Sequence, residues 1–324
     1  PSGAVVLRPV LDSNRGIAVS QAIHPFYAMI DTYHMTAATI DEALRKTLSV
    51  GGDPNHLGGV DNFCWPTIEY DAQKNPDGKY KAAQLVRANW ALRDYCLAFG
   101  IPLLSGKDSM YIDGNLEGPY GERRKVSGLP TLLFTVTSVV KDITKCVTMD
   151  AKFPGDLVYV LGETKNELGA SEYYQLMGAV GLNVPSVNAK TLWPQYLALH
   201  RAISEGLVSS CHAVCRGGLG VHFAMVAMAG EVGMEIHVPL IPAEAGLTPS
   251  QTLYSESAGR FVITVSPENR EPFEAIFSGM KLGRTGVVTE SPRLSIKGEH
   301  EAVIVEEDIE RLKDSWKRPF GELI

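Results

Sequence analysis

The chain has 324 residues, is 45% hydrophobic and 21% charged, and carries a formal net charge of −7. That length suggests about two domains of roughly 150 residues each, with the composition of an ordinary globular protein. The acidic balance argues against a nucleic-acid face as the main function.

No apolar run approaches the ~18 residues of a membrane span, and no secretory signal is visible. The five scattered cysteines (Cys64, Cys96, Cys146, Cys211 and Cys215) fit reduced thiols and a cytoplasmic location. Pro1 stands where an initiator Met is usual, which suggests a part of something longer.

In chain order, residues 4–10 and 16–30 read as strands, rich in Val, Ile and aromatics. Residues 36–50 read as a helix, with Ile40, Ala43, Leu44 and Leu48 on one stripe and Gly51-Gly52 closing it. Residues 53–66, which contain Gly58-Gly59-Val60-Asp61-Asn62, read as a turn-rich loop, and 70–78 as a second loop. A long helix is expected over 79–99, closed by Gly100. Next, the apolar run 101–104 stops at Ser105-Gly106-Lys107-Asp108-Ser109 before Met110-Tyr111-Ile112 resumes a strand-like pattern. A glycine between apolar runs marks either a turn or a close backbone approach. It is not a P-loop, which needs glycine at 101 and Ser or Thr at 108; Ile101 and Asp108 stand there. A Gly/Pro/Arg-rich loop over 113–128 and a strand over 130–140 follow, then a connector over 142–155.

The second half opens with a strand over 156–161 and a polar segment over 162–172. Helices are expected over 192–204, 218–230 and 307–316, and strands over 234–238, 260–265 and 302–305. Neither half shows the regular strand–helix alternation of a doubly wound sheet.

Several constellations admit two readings each. Thr39-x-x-Glu42 fits a capping box, or else Glu42 is a metal or substrate ligand on the helix. Asp61 is either a turn residue or a nucleotide contact. Cys211-His212 with Cys215 lacks the second ligand pair of a zinc site and adjoins Arg216. Glu167, Ser171 and Glu172 surround a Gly-Ala turn, and Ser255-Glu256-Ser257-Ala258-Gly259-Arg260 precedes a strand, where ligands often sit.

The order of these motifs is more specific than any one of them. Asp-Glu-Ala-Leu-Arg-Lys (41–46), Val-Asp-Asn (60–62), Ser-Gly-Lys-Asp-Ser (105–109), Glu-Leu-Gly-Ala-Ser-Glu-Tyr (167–173), His-Ala-Val-Cys-Arg-Gly-Gly-Leu (212–219), Ser-Glu-Ser-Ala-Gly-Arg-Phe (255–261) and Leu-Gly-Arg-Thr-Gly-Val-Val (282–288) follow one another. This series resembles the aminoimidazole ribonucleotide synthetase superfamily and, within it, the C-terminal half of the phosphoribosylformylglycinamidine synthases. The resemblance implies an α+β chain of two domains, 1–148 and 149–324. The N-terminal domain contributes strands to a barrel-like sheet shared with a related domain, and the C-terminal α/β domain packs beside it. It also implies ATP-dependent conversion of formylglycinamide ribonucleotide to formylglycinamidine ribonucleotide, with ATP and Mg2+ as cofactors. The implied partners are the N-terminal half of the same synthetase, which holds the catalytic histidines, and a glutaminase domain or subunit supplying ammonia. By motif, Asp61 and Gly106 fall on nucleotide positions, Ser109 on a substrate position, and Glu42 and Lys107 on metal positions.

The departures from the family pattern are informative. Lys46 replaces an asparagine one turn after the metal glutamate, and Lys107 stands where the shorter enzymes have asparagine. The pattern His-Asp-x-Ser-Asp-Gly-Gly has become His212-Ala213-Val214-Cys215-Arg216-Gly217-Gly218, and Met225 replaces a helix glutamate. Alanine and arginine cannot hold Mg2+ as carboxylates do. The expectation is therefore a half that has lost its own Mg-nucleotide site. Lys46, Lys107 and Arg216 then fill that volume or hold an anion; in the alternative they only form salt bridges with Glu42, Asp61 or Asp108. Two further alternatives are a purely structural half and a freestanding ATP-dependent relative.

Overall fold

The computed structural model describes residues 2–323. Strands β1 (Ala4–Leu7) and β2 (Gly16–Ile23) form a hairpin. The chain then turns through a 3-10 segment, Pro25–Met29, so the second expected strand ends at Ile23 rather than at 30. Helix α1 (Thr32–Ser49) begins at Thr32, not 36, because the Asp31 carboxylate accepts the Tyr33 and His34 amides. Thr39 is therefore interior to the helix and donates to the Met35 carbonyl, so the expected capping box is absent.

Residues 57–65, expected as loop, form strand β3 (Leu57–Trp65). Its glycines are packing glycines: a Cβ on Gly58 meets Leu104 at 2.7 Å, and one on Gly59 meets Phe134 at 2.7 Å. Helix α2 (Gly78–Phe99) ends at Gly100, whose φ of 65° supplies the left-handed cap. Strand β4 (Leu103–Met110) runs unbroken through Gly106, so of the two readings there the turn is absent and the close approach remains. The expected loop over 113–128 is a hairpin of β5 (Asp113–Glu117) and β6 (Arg123–Ser127). Strand β7 (Thr131–Val140) completes a five-stranded sheet in the order β1-β2-β7-β3-β4, with β3 and β4 parallel.

The second sheet follows a connector and has the order β14-β13-β10-β12-β8-β11-β9. In chain order its elements are β8 (Leu157–Leu161), α3 (Glu172–Leu176), α4 (Ala189–Ser204), β9 (Ser210–Ala213), α5 (Gly218–Gly230) and β10 (Gly233–His237). Then come α6 (Pro249–Tyr254), β11 (Phe261–Val265), α7 (Arg270–Ile276), β12 (Leu282–Thr289), β13 (Arg293–Lys297), β14 (Val303–Asp308) and α8 (Ile309–Lys317). The central strands are buried on both faces, as their continuous apolar runs require. One core joins Phe63, Trp65 and Phe134 of the first sheet to Tyr159 and Phe261 of the second and to Phe273 of α7. A separate cluster around Val160, Phe223, Val226 and Val262 fills the far side of the second sheet. Together the layers make the α+β class expected from the motif series.

Polar contacts tie the two sheets together. Buried Arg45 pairs with Asp41 at 2.6 Å and donates to the carbonyls of Val214 and Arg260. Tyr196 donates to Asp41, and Tyr95 donates to the Val187 carbonyl at 2.7 Å. Among the described residues no helix is long and apolar enough to cross a membrane.

Candidate functional site

The sequence candidates separate into three places. In the parallel β3–β4 pair, Asp61 lies opposite Gly106, Asn62 opposite Lys107 and Cys64 opposite Ser109. Because successive strand residues alternate in face, Asp61 and Gly106 share the helix-covered side with Phe63 and Trp65. Lys107 and Ser109 lie on the opposite, open side.

On the covered side, the Asp61 carboxylate is 9% exposed and raised above its ordinary pKa by burial, with Asp108 adding to the shift. The Cys96 thiol of α2 is pushed up to about 12, by burial first and Asp61 second. Cys96 also lines a groove of about 660 Å³ between α2 and the start of β4, together with Leu92, Leu97, Ile101 and Leu103. Gly106 is the residue that makes room here: a Cβ would lie 2.9 Å from each Asp61 carboxylate oxygen. Asp61 is thus a strand residue with a buried carboxylate, not the turn residue that its glycine-rich neighbourhood suggested.

On the open side, Lys107 Nζ donates to Ser109 Oγ at 2.6 Å; on this edge strand Lys107 is exposed and Ser109 half-buried. The open face of the sheet is mostly apolar. Val5 is 58%, Leu7 52% and Leu104 64% exposed, and Ile17 and Ile23 also face solvent.

Glu42 is elsewhere. It projects from α1, which packs on β2 and β7, toward the β9–α5 turn beside the second sheet. Its Oε1 lies 2.5 Å from Lys46 Nζ, and its Oε2 lies 2.8 Å from His24 Nε2 in an ion-pair contact rather than an aligned hydrogen bond. Burial alone would raise the carboxyl's pKa; His24 and then Lys46 override this and hold it well below the usual carboxylate range. The motif 212–218 and Glu256 come to the same place. His212 and His222 have ring centroids 4.8 Å apart, and Cys215 Sγ lies 3.4 Å from His222 Nε2. The Cys215 thiol is pushed up to about 12, chiefly by burial and next by Glu42. Glu256 accepts the Tyr27 hydroxyl and the amides of Glu172 and Gly217.

The structure therefore brings Asp61 together with Gly106 and Lys107 together with Ser109, but it does not bring Glu42 to Lys107. The residues around Glu42 do not fit Mg2+. Oε1 is held by the Lys46 ammonium, the positions expected to carry carboxylates are Ala213 and Arg216, and no cluster of three metal-ligating side chains exists among the described residues. Lys46 pairs with Glu42, as the salt-bridge alternative has it, whereas Arg216 pairs with Glu172 at 3.3 Å, an acid outside that alternative. Ser171 caps α3 through the Tyr174 amide, and Glu167 accepts both the amide and the hydroxyl of Ser186. His24, Tyr27 and His222 were not among the sequence candidates. His24 and Tyr27 fall in a segment that reads as strand, and His222 lies in an apolar helix, so no local pattern marks them.

Comparison with known proteins agrees with this architecture. Residues 154–299 match the family described as AIR synthase related protein, C-terminal domain. The phosphoribosylformylglycinamidine synthase subunit PurL of Thermococcus sibiricus is 32% identical over 282 residues, covering 85% of this chain and 37% of that subunit. Thermotoga maritima PurL complexed with FGAR superimposes with a TM-score of 0.74 at 20% identity, over 96% of this chain and 48% of that one. HypE in a HypE–HypF complex superimposes with a TM-score of 0.66 at 12% identity, over 95% and 93% of the two chains. The chain thus spans less than half the length of the PurL proteins it matches. It belongs to the PurL/AIR synthase family.

Proposed function

We propose that the chain is the C-terminal half of a phosphoribosylformylglycinamidine synthase, an ATP-dependent C–N ligase of de novo purine biosynthesis. Its domains are 1–148 and 149–324, it works in the cytoplasm, and it is inactive alone. The catalytic histidines belong to the N-terminal half, and a glutaminase domain or subunit delivers ammonia. In the reaction, the amide oxygen of formylglycinamide ribonucleotide attacks the γ-phosphorus of ATP and ADP leaves. Ammonia then adds to the activated carbon and phosphate departs, forming the amidine. Such an intermediate needs an enclosed, dry site. Asp61 and Gly106 contribute to the nucleotide side of a composite site, and Ser109 contributes to the substrate side.

The observation that carries this reading is the open face of the first sheet. It carries exposed Val5, Leu7, Ile17 and Ile23 on β1 and β2 at one edge, and Leu104 with Lys107 and Ser109 on β4 at the other. A bare apolar sheet face of this kind calls for a second sheet, and a homologous sheet from the other half would close it over Ser109. The identity to a PurL subunit over 85% of the chain supports the same assignment. Co-expression with the complementary half tests it. The pair is expected to consume formylglycinamide ribonucleotide with ATP and ammonia, while neither half does so alone.

A second reading is favoured by the near-complete coverage of HypE, which makes the fold that of a whole unit. On it the chain is a freestanding ATP-dependent relative that covers its open face with a second copy of itself. ATPase activity by a homodimer without any other half would select this reading.

A further inference from the structure

We propose that the Glu42 position of this chain carries a built-in cation, the Lys46 ammonium, in place of a divalent metal ion. Lys46 Nζ lies 2.5 Å from Glu42 Oε1 and 3.2 Å from the Gln21 carbonyl, and it is largely buried. A buried carboxylate needs a compensating charge. Here Lys46 supplies it from one helical turn along α1, while the other oxygen lies against His24 Nε2 at 2.8 Å.

The anion side of the same place is also filled from within. Helix α5 begins at Gly218, and helix starts favour negative charge. The Gly217 amide there points at the Glu256 carboxylate at 2.7 Å, and the same oxygen accepts the Glu172 amide at 2.9 Å. Tyr27 donates to the other oxygen of Glu256. The helix start thus receives the chain's own carboxylate. The substitutions form one set: Ala213 and Arg216 remove negative charge, Lys46 adds positive charge, and the volume keeps its balance without Mg2+ or nucleotide. This inference does not depend on the synthetase reaction and is tested on the chain's own stability.

The test is a double-mutant cycle of Lys46→Met and Glu42→Gln, read by urea unfolding with MgCl2 or EDTA present. The wild-type midpoint is expected to be the same in both conditions. Lys46→Met is expected to lower the folded-to-unfolded ratio by more than about tenfold, and the double variant to recover most of that loss. Lys46→Arg, which keeps the charge, is expected to stay near wild type, and it carries the test if Lys46→Met does not fold. A wild-type midpoint that Mg2+ raises and EDTA restores overturns the proposal. So does a Lys46→Met cost that is unchanged by Glu42→Gln, or a Lys46→Arg variant that gains stability with Mg2+.

Discussion

Gly106 and Asp61 face each other across the β3–β4 pair so closely that a side chain at 106 and the Asp61 carboxylate cannot occupy the same space. The atoms met are the end of a side chain, so the sheet survives a substitution but the carboxylate moves. Gly106→Ala is expected to lose about 1 kcal/mol, and the loss is expected to vanish in an Asp61→Ala background. Equilibrium urea unfolding of the four variants measures this. An equal loss in both backgrounds contradicts the close approach.

Arg45 is the polar link between the two sheets. Its guanidinium pairs with buried Asp41 and reaches the carbonyls of Val214 and Arg260 beside the second sheet. Arg45→Ala leaves Asp41 buried with Tyr196 as its remaining partner and is expected to cost about 3–5 kcal/mol. Exposed Arg93, whose side chain is 73% accessible and only 3.5 Å from Asp94, is the control, with an expected change near zero. Thermal unfolding of both variants checks the contrast.

The paired histidines make stability depend on pH. Burial, and next the Lys46 charge, lower His212 to about 4, and burial followed by His212 lowers His222 well below its ordinary value. Both are neutral when folded and take up a proton readily when unfolded. Their contribution is therefore fully present above the ordinary histidine pKa near 6.5 and is lost as pH falls from there toward 4. His212 alone is expected to remove on the order of 2 kcal/mol between pH 7 and pH 5. Urea midpoints across that range test it, and a His212→Asn variant is expected to flatten the slope.

Much of this fold was readable where pattern and packing agree. The span of α5 was legible because Gly217-Gly218 opens it and an apolar run fills it. What misled was glycine used for packing. Gly58, Gly59 and Gly106 look like loop signals, yet they sit inside strands where Leu104, Phe134 and Asp61 leave no room for a Cβ. Likewise Thr39 and Glu42 imitate a helix start, while the true cap, Asp31, lies about two turns earlier. The hairpin Asp113–Ser127 escaped because charge and glycine mask its alternation, and its two strands pair only with each other. The motif order identified the family, but motif position alone did not separate Glu42 from Lys107. That separation is tertiary: α1 packs on β2 and β7, whereas Lys107 lies on the edge strand beyond β3.

The composite-site account stands most directly on Ser109. The measurement is kcat/KM for formylglycinamide ribonucleotide with ATP and ammonia, using this chain, or its Ser109→Ala variant, co-assembled with the complementary half. Loss of a substrate hydrogen bond is expected to lower kcat/KM by about tenfold, with assembly and urea stability unchanged because Ser109 is bonded only to exposed Lys107. Full turnover from an intact Ser109→Ala assembly would contradict the account and leave this half a scaffold.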